Sequence, residues 1–233
     1  MVPEVSVLFE DGDAAVVVKP VGMPAQPDPS GAFSLLDWAA GRWKSAFIIS
    51  RLDRPVGGVA VIAASKDGAA RLSRMVQTGG LEKTYLALIE NGHSLPQKEG
   101  FLEHWLIKDG KANRSSAVEA SVRGARKARL YYRVLQEGRT RTLVAVRLLT
   151  GRHHQIRAQF ASLGCPVAGD VKYGASSALR ARGIALWSWK LGFTWKKHPL
   201  HFSQLPSGKV WEPFLSTVSA FESGQPVFCE PVH

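Results

Sequence analysis

The chain has 233 residues, 45% of them hydrophobic, enough to bury on the order of 70% of its unfolded surface in one domain. Its 30 Lys and Arg against 19 Asp and Glu leave a formal charge of +11, more than solubility asks, which points to a polyanionic partner: RNA, DNA or an anionic membrane. No stretch approaches the roughly 20 apolar residues that span a bilayer. The acidic start (Glu4, Glu10, Asp11, Asp13) lacks the basic region of a signal peptide, and Cys165 and Cys229, without metal spacing, read as reduced thiols, so a cytoplasmic protein is expected.

Residues 16–19 read as a short buried strand, ended by Pro20, Gly22 and Pro24. Phe47-Ile48-Ile49 and residues 59–63 are β-rich runs, which puts the loop between them on rigid supports. Ser65 has the place of a helix N-cap, with Ala69, Leu72 and Val76 as the apolar face, Asp67 as first-turn decoration, and Gly79-Gly80 as the stop. Residues 81–89 alternate as a strand that sets Tyr85, Ala87 and Ile89 on one face. Residues 108–133 carry eight Lys or Arg against Asp109 and Glu119 and read as a phosphate-tracking surface, with a solvated loop as the bland alternative. Residues 130–135 and 143–149 pair as a hairpin turned at Glu137-Gly138-Arg139.

Residues 152–163 have helical spacing, with Ile156, Phe160 and Leu163 in one stripe and His153 and Arg157 together on another face; Gly164 and Pro166 end the helix. Cys165 and the alternating Trp187, Trp189 and Trp195 read as core, the tryptophans more readily so than as base-stacking groups. Strands follow one another without regular crossover helices, so the fold class is α+β: a mixed, largely antiparallel sheet with flanking helices and a central cleft, in a single domain over 1–233 with room for two sub-halves.

Two runs carry the chemistry. Ser50-Arg51-Leu52-Asp53-Arg54-Pro55-Val56-Gly57-Gly58 sets a carboxylate between two arginines and before paired glycines. Thr150-Gly151-Arg152-His153-His154-Gln155-Ile156-Arg157 gathers cations and hydrogen-bonding groups at a helix start, where backbone N–H groups favour anions. Adjacent His153 and His154 cannot both face one metal from a helix and no third ligand stands at zinc spacing, so no metal is expected. Ser50 lacks a nucleophile-elbow context.

Together with Val16-Val17-Val18-Lys19-Pro20, Lys83-Thr84-Tyr85, Gly164-Cys165-Pro166-Val167-Ala168-Gly169-Asp170 with Tyr173-Gly174, and His198-Pro199 with Leu205-Pro206, these runs occur in one order. In that order, from about Phe9 to Pro206, the chain resembles the RluA-like family of RNA pseudouridine synthases. The resemblance implies the pseudouridine synthase catalytic fold and isomerisation of specific uridines in ribosomal or transfer RNA without a cofactor. It implies Asp53 as the catalytic acid, acting as nucleophile or base, Tyr85 as the tyrosine against the target base, and Arg157 as the arginine that pairs with Asp53. Arg51 matches the residue that displaces the target nucleotide, an extrusion costing a few kcal/mol. Leu52 and Ile156 are expected as apolar walls, and Arg54, Arg152, His154 and Gln155 as further substrate contacts. Where the family usually has histidine this chain has Ser50, where it usually has threonine-serine it has Val56-Gly57, and His153 stands where threonine is common. The departures at Ser50 and Val56-Gly57 motivate a second reading, a non-catalytic RNA-binding or RNA-chaperone protein that keeps the fold; a DNA-binding module is weaker, with no recognition-helix motif. Lys19-Pro20 comes so early that no S4-like RNA-binding domain is expected before it. The expected partner is RNA, with no membrane, for a monomer.

Overall fold

The structure, a computed structural model, describes residues 4–92, 95–179, 183–222 and 227–228; Cys229 lies outside the described residues. The elements in chain order are β1 (Ser6–Glu10), β2 (Ala14–Lys19), α1 (Leu35–Ala40), β3 (Phe47–Ile48), β4 (Gly57–Ala63), α2 (Lys66–Gln77) and β5 (Leu81–Glu90). They continue with β6 (Glu99–Asp109), β7 (Arg114–Val118), β8 (Arg126–Glu137), β9 (Arg141–Leu148), α3 (Gln155–Ser162), β10 (Leu186–Trp195), β11 (His198–Ser203) and α4 (Leu215–Glu222). The architecture is α+β, with mostly antiparallel strands and a few helices. The chain divides into two compact units, Met1–Lys83 with Trp187–Pro206, and Thr84–Leu186 with Ser207–His233.

In the first unit β1, β2, β4 and β10 lie side by side, with β3 on β4 and β11 on β10. β2, up to its terminal Lys19, and β4 are unbroken apolar runs buried along nearly their whole length, as strands covered on both faces must be. The core gathers Val16, Val59, Val61, Leu191, Phe193 and Trp195 under Leu72 of α2. Ser65 caps α2 by accepting from the Gly68 amide at 2.9 Å while its hydroxyl donates to Asp13 at 2.7 Å, satisfying a helix-start N–H that would otherwise be orphaned. The apolar face of α2 differs from expectation at one position: Val76 is exposed, and Met75 packs on the core instead. Trp187, Trp189 and Trp195 are buried.

In the second unit the order is β5, β9, β8, β6, β7, antiparallel throughout these pairings. α3 lies against this sheet, Phe160 meeting Tyr132 edge-on at 5.9 Å and Ala158 packing with Leu106, Ala128 and Tyr173. Residues 108–133 are not a loop: they include the end of β6, all of β7 and the start of β8. Alternation places Lys127, Arg129 and Arg133 on one face, and there Glu103 and Glu99 answer them at 2.8 Å, 3.8 Å and 3.6 Å. The basic segment is thus partly neutralised across strands.

Candidate active site

Asp53 sits on a tight turn between β3 and β4, closed by the Val56 amide donating to the Asp53 carbonyl at 2.9 Å. Three features fix that turn. Ser50 is buried and its hydroxyl accepts from the Val61 amide at 2.8 Å, so this side chain braces the strand that enters the turn against the one that leaves it. Gly57 lies under the Trp187 ring, where an added Cβ would stand 2.3 Å from Cζ3. Gly58 has φ +115°, and a Cβ there would stand 2.2 Å from the Ser188 carbonyl oxygen. The two glycines therefore let β4 run parallel to β10, with Trp187 opposite Gly57 and Ser188 opposite Gly58.

Lys19 lies at the end of β2, fully buried, with its ammonium donating to the carbonyls of Met23 at 2.7 Å and Pro20 at 3.0 Å. Burial pushes its pKa down to about 7, against the pull of the Asp53 carboxylate, which favours the charged form. Leu52 is buried beside the acid and Arg51 is exposed. Arg54 is exposed as well, but its guanidinium is engaged by the fold: it donates to the Gly22 carbonyl, Asp28 and Ser30.

The second unit holds the remaining candidates. Tyr85 is 7% exposed on β5, opposite Val146 of β9. Arg157, in α3, forms a two-pronged ion pair with Asp170, Nε to Oδ2 at 2.6 Å and a terminal nitrogen to Oδ1 at 2.9 Å, the side chains being 5% and 2% exposed. The sequence assigns Asp170 no role, and the geometry makes it the residue that fixes the guanidinium plane. Tyr173 lies beneath the same guanidinium at 4.8 Å. Asp53, the partner that the resemblance implies for Arg157, belongs to the other unit.

α3 begins at Gln155, three residues later than its spacing predicts, because His154 adopts the left-handed conformation (φ 52°). His153 is therefore not four helical positions from Arg157 on a shared face; it stacks on His154 at 3.8 Å. Tyr173 holds this start in place. Its hydroxyl accepts from the Ser115 amide at 2.8 Å and meets His154 Nδ1 at 2.9 Å, which suits a neutral imidazole accepting the phenolic proton. Burial first, then the charges of Arg157, His153, Lys172 and Lys108, hold the His154 pKa down to about 2. His153 bonds Ser115 Oγ at 2.9 Å and Asn113 Oδ1 at 3.1 Å, tying the β6–β7 turn to the same place.

Gln155, expected to touch substrate, is buried, and its amide is committed to the fold. Its oxygen accepts from Thr150 at 2.7 Å and from the Arg152 amide at 3.0 Å, and its nitrogen donates to the Arg129 carbonyl at 3.1 Å. Arg152 is exposed and donates to the Lys127 carbonyl at 2.9 Å, and Ile156 is buried. Among the described residues no group of three His, Cys, Asp or Glu could hold a metal ion, and no helix is long and apolar enough to cross a membrane.

A family model described as RNA pseudouridylate synthase matches residues 13–162, which contain the Asp53 turn, Tyr85 and Arg157. The chain belongs to the RNA pseudouridylate synthase family. It is 34% identical over 177 residues to an uncharacterized RNA pseudouridine synthase of Zymomonas mobilis, covering 72% of this chain and 78% of that one. It is 31% identical over 221 residues to the ribosomal large subunit pseudouridine synthase D of Nitrosomonas europaea, covering 88% of this chain and 60% of that one. The chain thus spans less than two thirds of the latter relative. The fold matches human RNA pseudouridylate synthase domain containing 4 with a TM-score of 0.73 at 22% identity, over 93% of each chain, and human RNA pseudouridylate synthase domain containing 1 with a TM-score of 0.74, over 88% of this chain and 85% of that one. These relatives place the chain among RNA-modifying isomerases of the RluA-like type.

Proposed function

We propose that the chain isomerises specific uridines of ribosomal or transfer RNA to pseudouridine with Asp53 as the catalytic acid, working as a monomer in the cytoplasm without cofactor or metal. The reaction breaks the N1–C1′ bond of uridine and joins C5 to C1′; the proton on C5 is removed, N1 gains one, and nothing is oxidised or reduced. One well-held carboxylate acting at the ribose meets that requirement. The observation that carries the reading is the turn itself: Asp53 stands partly exposed on a turn braced by Ser50 and by two glycines packed under β10, with the buried Lys19 ammonium within reach of its charge. Such support keeps a reacting group within fractions of an ångström of its working geometry.

In this reading Arg157, its plane fixed by Asp170, pairs with Asp53 and fixes its direction. Tyr85 packs on the target base and serves the removal of the C5 proton. Arg51 displaces the nucleotide, and Leu52 and Ile156 exclude water. Backbone phosphates meet the cations around the β6–β7 turn. The synthase D relatives support ribosomal RNA as the first substrate to test.

The alternative of a non-catalytic RNA binder drew on Ser50, Val56 and Gly57. Ser50 and Gly57 have local partners that maintain the turn, and Val56 is buried, which favours the enzyme. A pseudouridine map of total RNA with and without the gene tests the proposal. Sites that vanish on deletion and return with the wild-type gene, not with Asp53→Asn, are expected; identical maps would refute it.

A further inference from the structure

Arg54 follows the acid directly, its side chain is 45% exposed, and on a chain of charge +11 it reads as a phosphate contact. Its hydrogen bonds describe something else. Nε donates to the Gly22 carbonyl at 3.1 Å, and one terminal nitrogen donates to Asp28 Oδ2 at 3.3 Å and Ser30 Oγ at 2.8 Å. The backbone adds a return bond, from the Gly22 amide to the Arg54 carbonyl at 2.8 Å.

The acceptors are prearranged. Asp28-Pro29-Ser30-Gly31 is a turn closed by the Gly31 amide donating to the Asp28 carbonyl at 3.1 Å, with Pro29 presetting its second position and Gly31 at φ +67°. Asp28 Oδ1 is consumed inside the turn, by the Ser30 amide at 2.9 Å and the Ser30 hydroxyl. That leaves Asp28 Oδ2 for Arg54, and it turns a Ser30 lone pair, its proton already given to Asp28, toward the same nitrogen. The planar guanidinium fork suits three acceptors at fixed angles, which an ammonium does not.

We propose that Arg54, Asp28 and Ser30 form a latch that fastens the 22–31 loop to the Asp53 turn, making Arg54 a positioning residue for the acid and not an RNA ligand. The inference rests on the catalytic reading of Asp53 given above. The Asp53 turn joins β3 to β4, and the latch ties the residue next to the acid to the Gly22–Gly31 stretch, beside the Lys19 bonds to Pro20 and Met23. Loosening that tie would let the acid leave its reacting position for part of the time.

The test uses Arg54→Met, Arg54→Lys, Asp28→Asn and the Arg54→Met/Asp28→Asn pair in the full chain. Three properties are read: tritium release from C5-tritiated ribosomal RNA at saturating enzyme, RNA affinity with its salt dependence, and hydrogen exchange of residues 22–31. The rate at saturation should fall about tenfold in each single variant, as misplacement of a reacting group by less than an ångström requires. RNA affinity and salt slope should hold, exchange in 22–31 should quicken, and the pair should be no slower than either single, since both cut one interaction. Arg54→Lys should not rescue the rate.

The latch is overturned if Arg54→Met keeps the saturated rate but weakens binding and lowers the log–log salt slope by about one, the mark of a lost phosphate contact. It is equally overturned if Asp28→Asn leaves both rate and exchange unchanged. Should the wild-type chain release no tritium, the catalytic reading fails; the exchange comparison then judges the latch alone, and unchanged exchange in both singles overturns it.

Discussion

Replacing Asp170 by Asn removes one charge from the ion pair that orients Arg157 while hardly changing shape. The carboxylate takes two bonds from the guanidinium, at 2.6 Å and 2.9 Å, with the two side chains 5% and 2% exposed. An Asn keeps one acceptor but turns an NH2 donor toward an N–H donor, so the guanidinium buried beside Tyr173 loses its two-pronged charged partner. Breaking a buried pair on one side costs about 3–5 kcal/mol; with one acceptor kept, the low end of about 3 applies. For a chain of this length each kcal/mol lowers Tm by about 2–4 °C, so Tm should fall by roughly 6–12 °C. Thermal unfolding followed by circular dichroism at fixed pH and salt measures it. Replacing both partners, Arg157→Met with Asp170→Leu, should recover at least half of the loss, because the mismatched donors go too, yet the doubly substituted protein should release no tritium from RNA. Asp170→Asn melting within about 2 °C of wild type would refute the reasoning and rank the pair with exposed ones worth under about 1 kcal/mol.

Gly58→Ala should lower Tm by more than about 6 °C, since the new Cβ meets the Ser188 backbone at φ +115° and cannot be relieved by a side-chain turn; a normal melting curve would contradict the tight β4–β10 approach. His154 is held neutral, its folded pKa of about 2 lying below the unfolded value of about 6.5. The unfolded chain therefore takes up the proton first as pH falls, so this contribution to stability is complete above about pH 6.5 and is lost as pH drops toward 2. His154→Asn should flatten that part of the stability–pH curve, and superimposable curves would contradict it. Among the described residues Lys108, Lys111 and Arg126 form no ion pair with a carboxylate, unlike Lys127 and Arg129, which share Glu103. Their joint replacement by Gln should lower the log–log salt slope of RNA binding by about two to three units and leave the saturated rate intact, and an unchanged slope would move the RNA surface elsewhere.

Local features of the fold were legible in the sequence wherever a residue's neighbours along the chain decide its structure. The Asp53 loop between two β-rich runs, the Ser65 cap, the strand carrying Tyr85 and the β8–β9 hairpin all depend on short-range patterns. β6 and β7 were not legible: Leu102 and Leu106 on one face of β6 are matched by Phe101, Trp105 and Ile107 on the other, so no two-residue alternation separates a buried from a solvated side. The β4–β10 pairing that explains Gly57 and Gly58 joins residues 130 apart in the chain.

The candidate site divides in the same way. The motif residues were visible, but the uses of Arg54 and Gln155 were not, because charge and polarity announce a hydrogen-bonding group without naming its partner. Asp170 stands thirteen residues from Arg157 across a turn; the available signal was an acid following Gly169, itself at φ +86°. The late start of α3 followed from His154 in the left-handed region, which helical spacing assumes away.

Whether Asp53 performs the isomerisation is tested most directly by tritium release from C5-tritiated ribosomal RNA taken from cells lacking the gene. The account predicts release by the wild-type chain and none by Asp53→Asn, with RNA affinity and melting curve unchanged between them. Release by Asp53→Asn at the wild-type rate would contradict it.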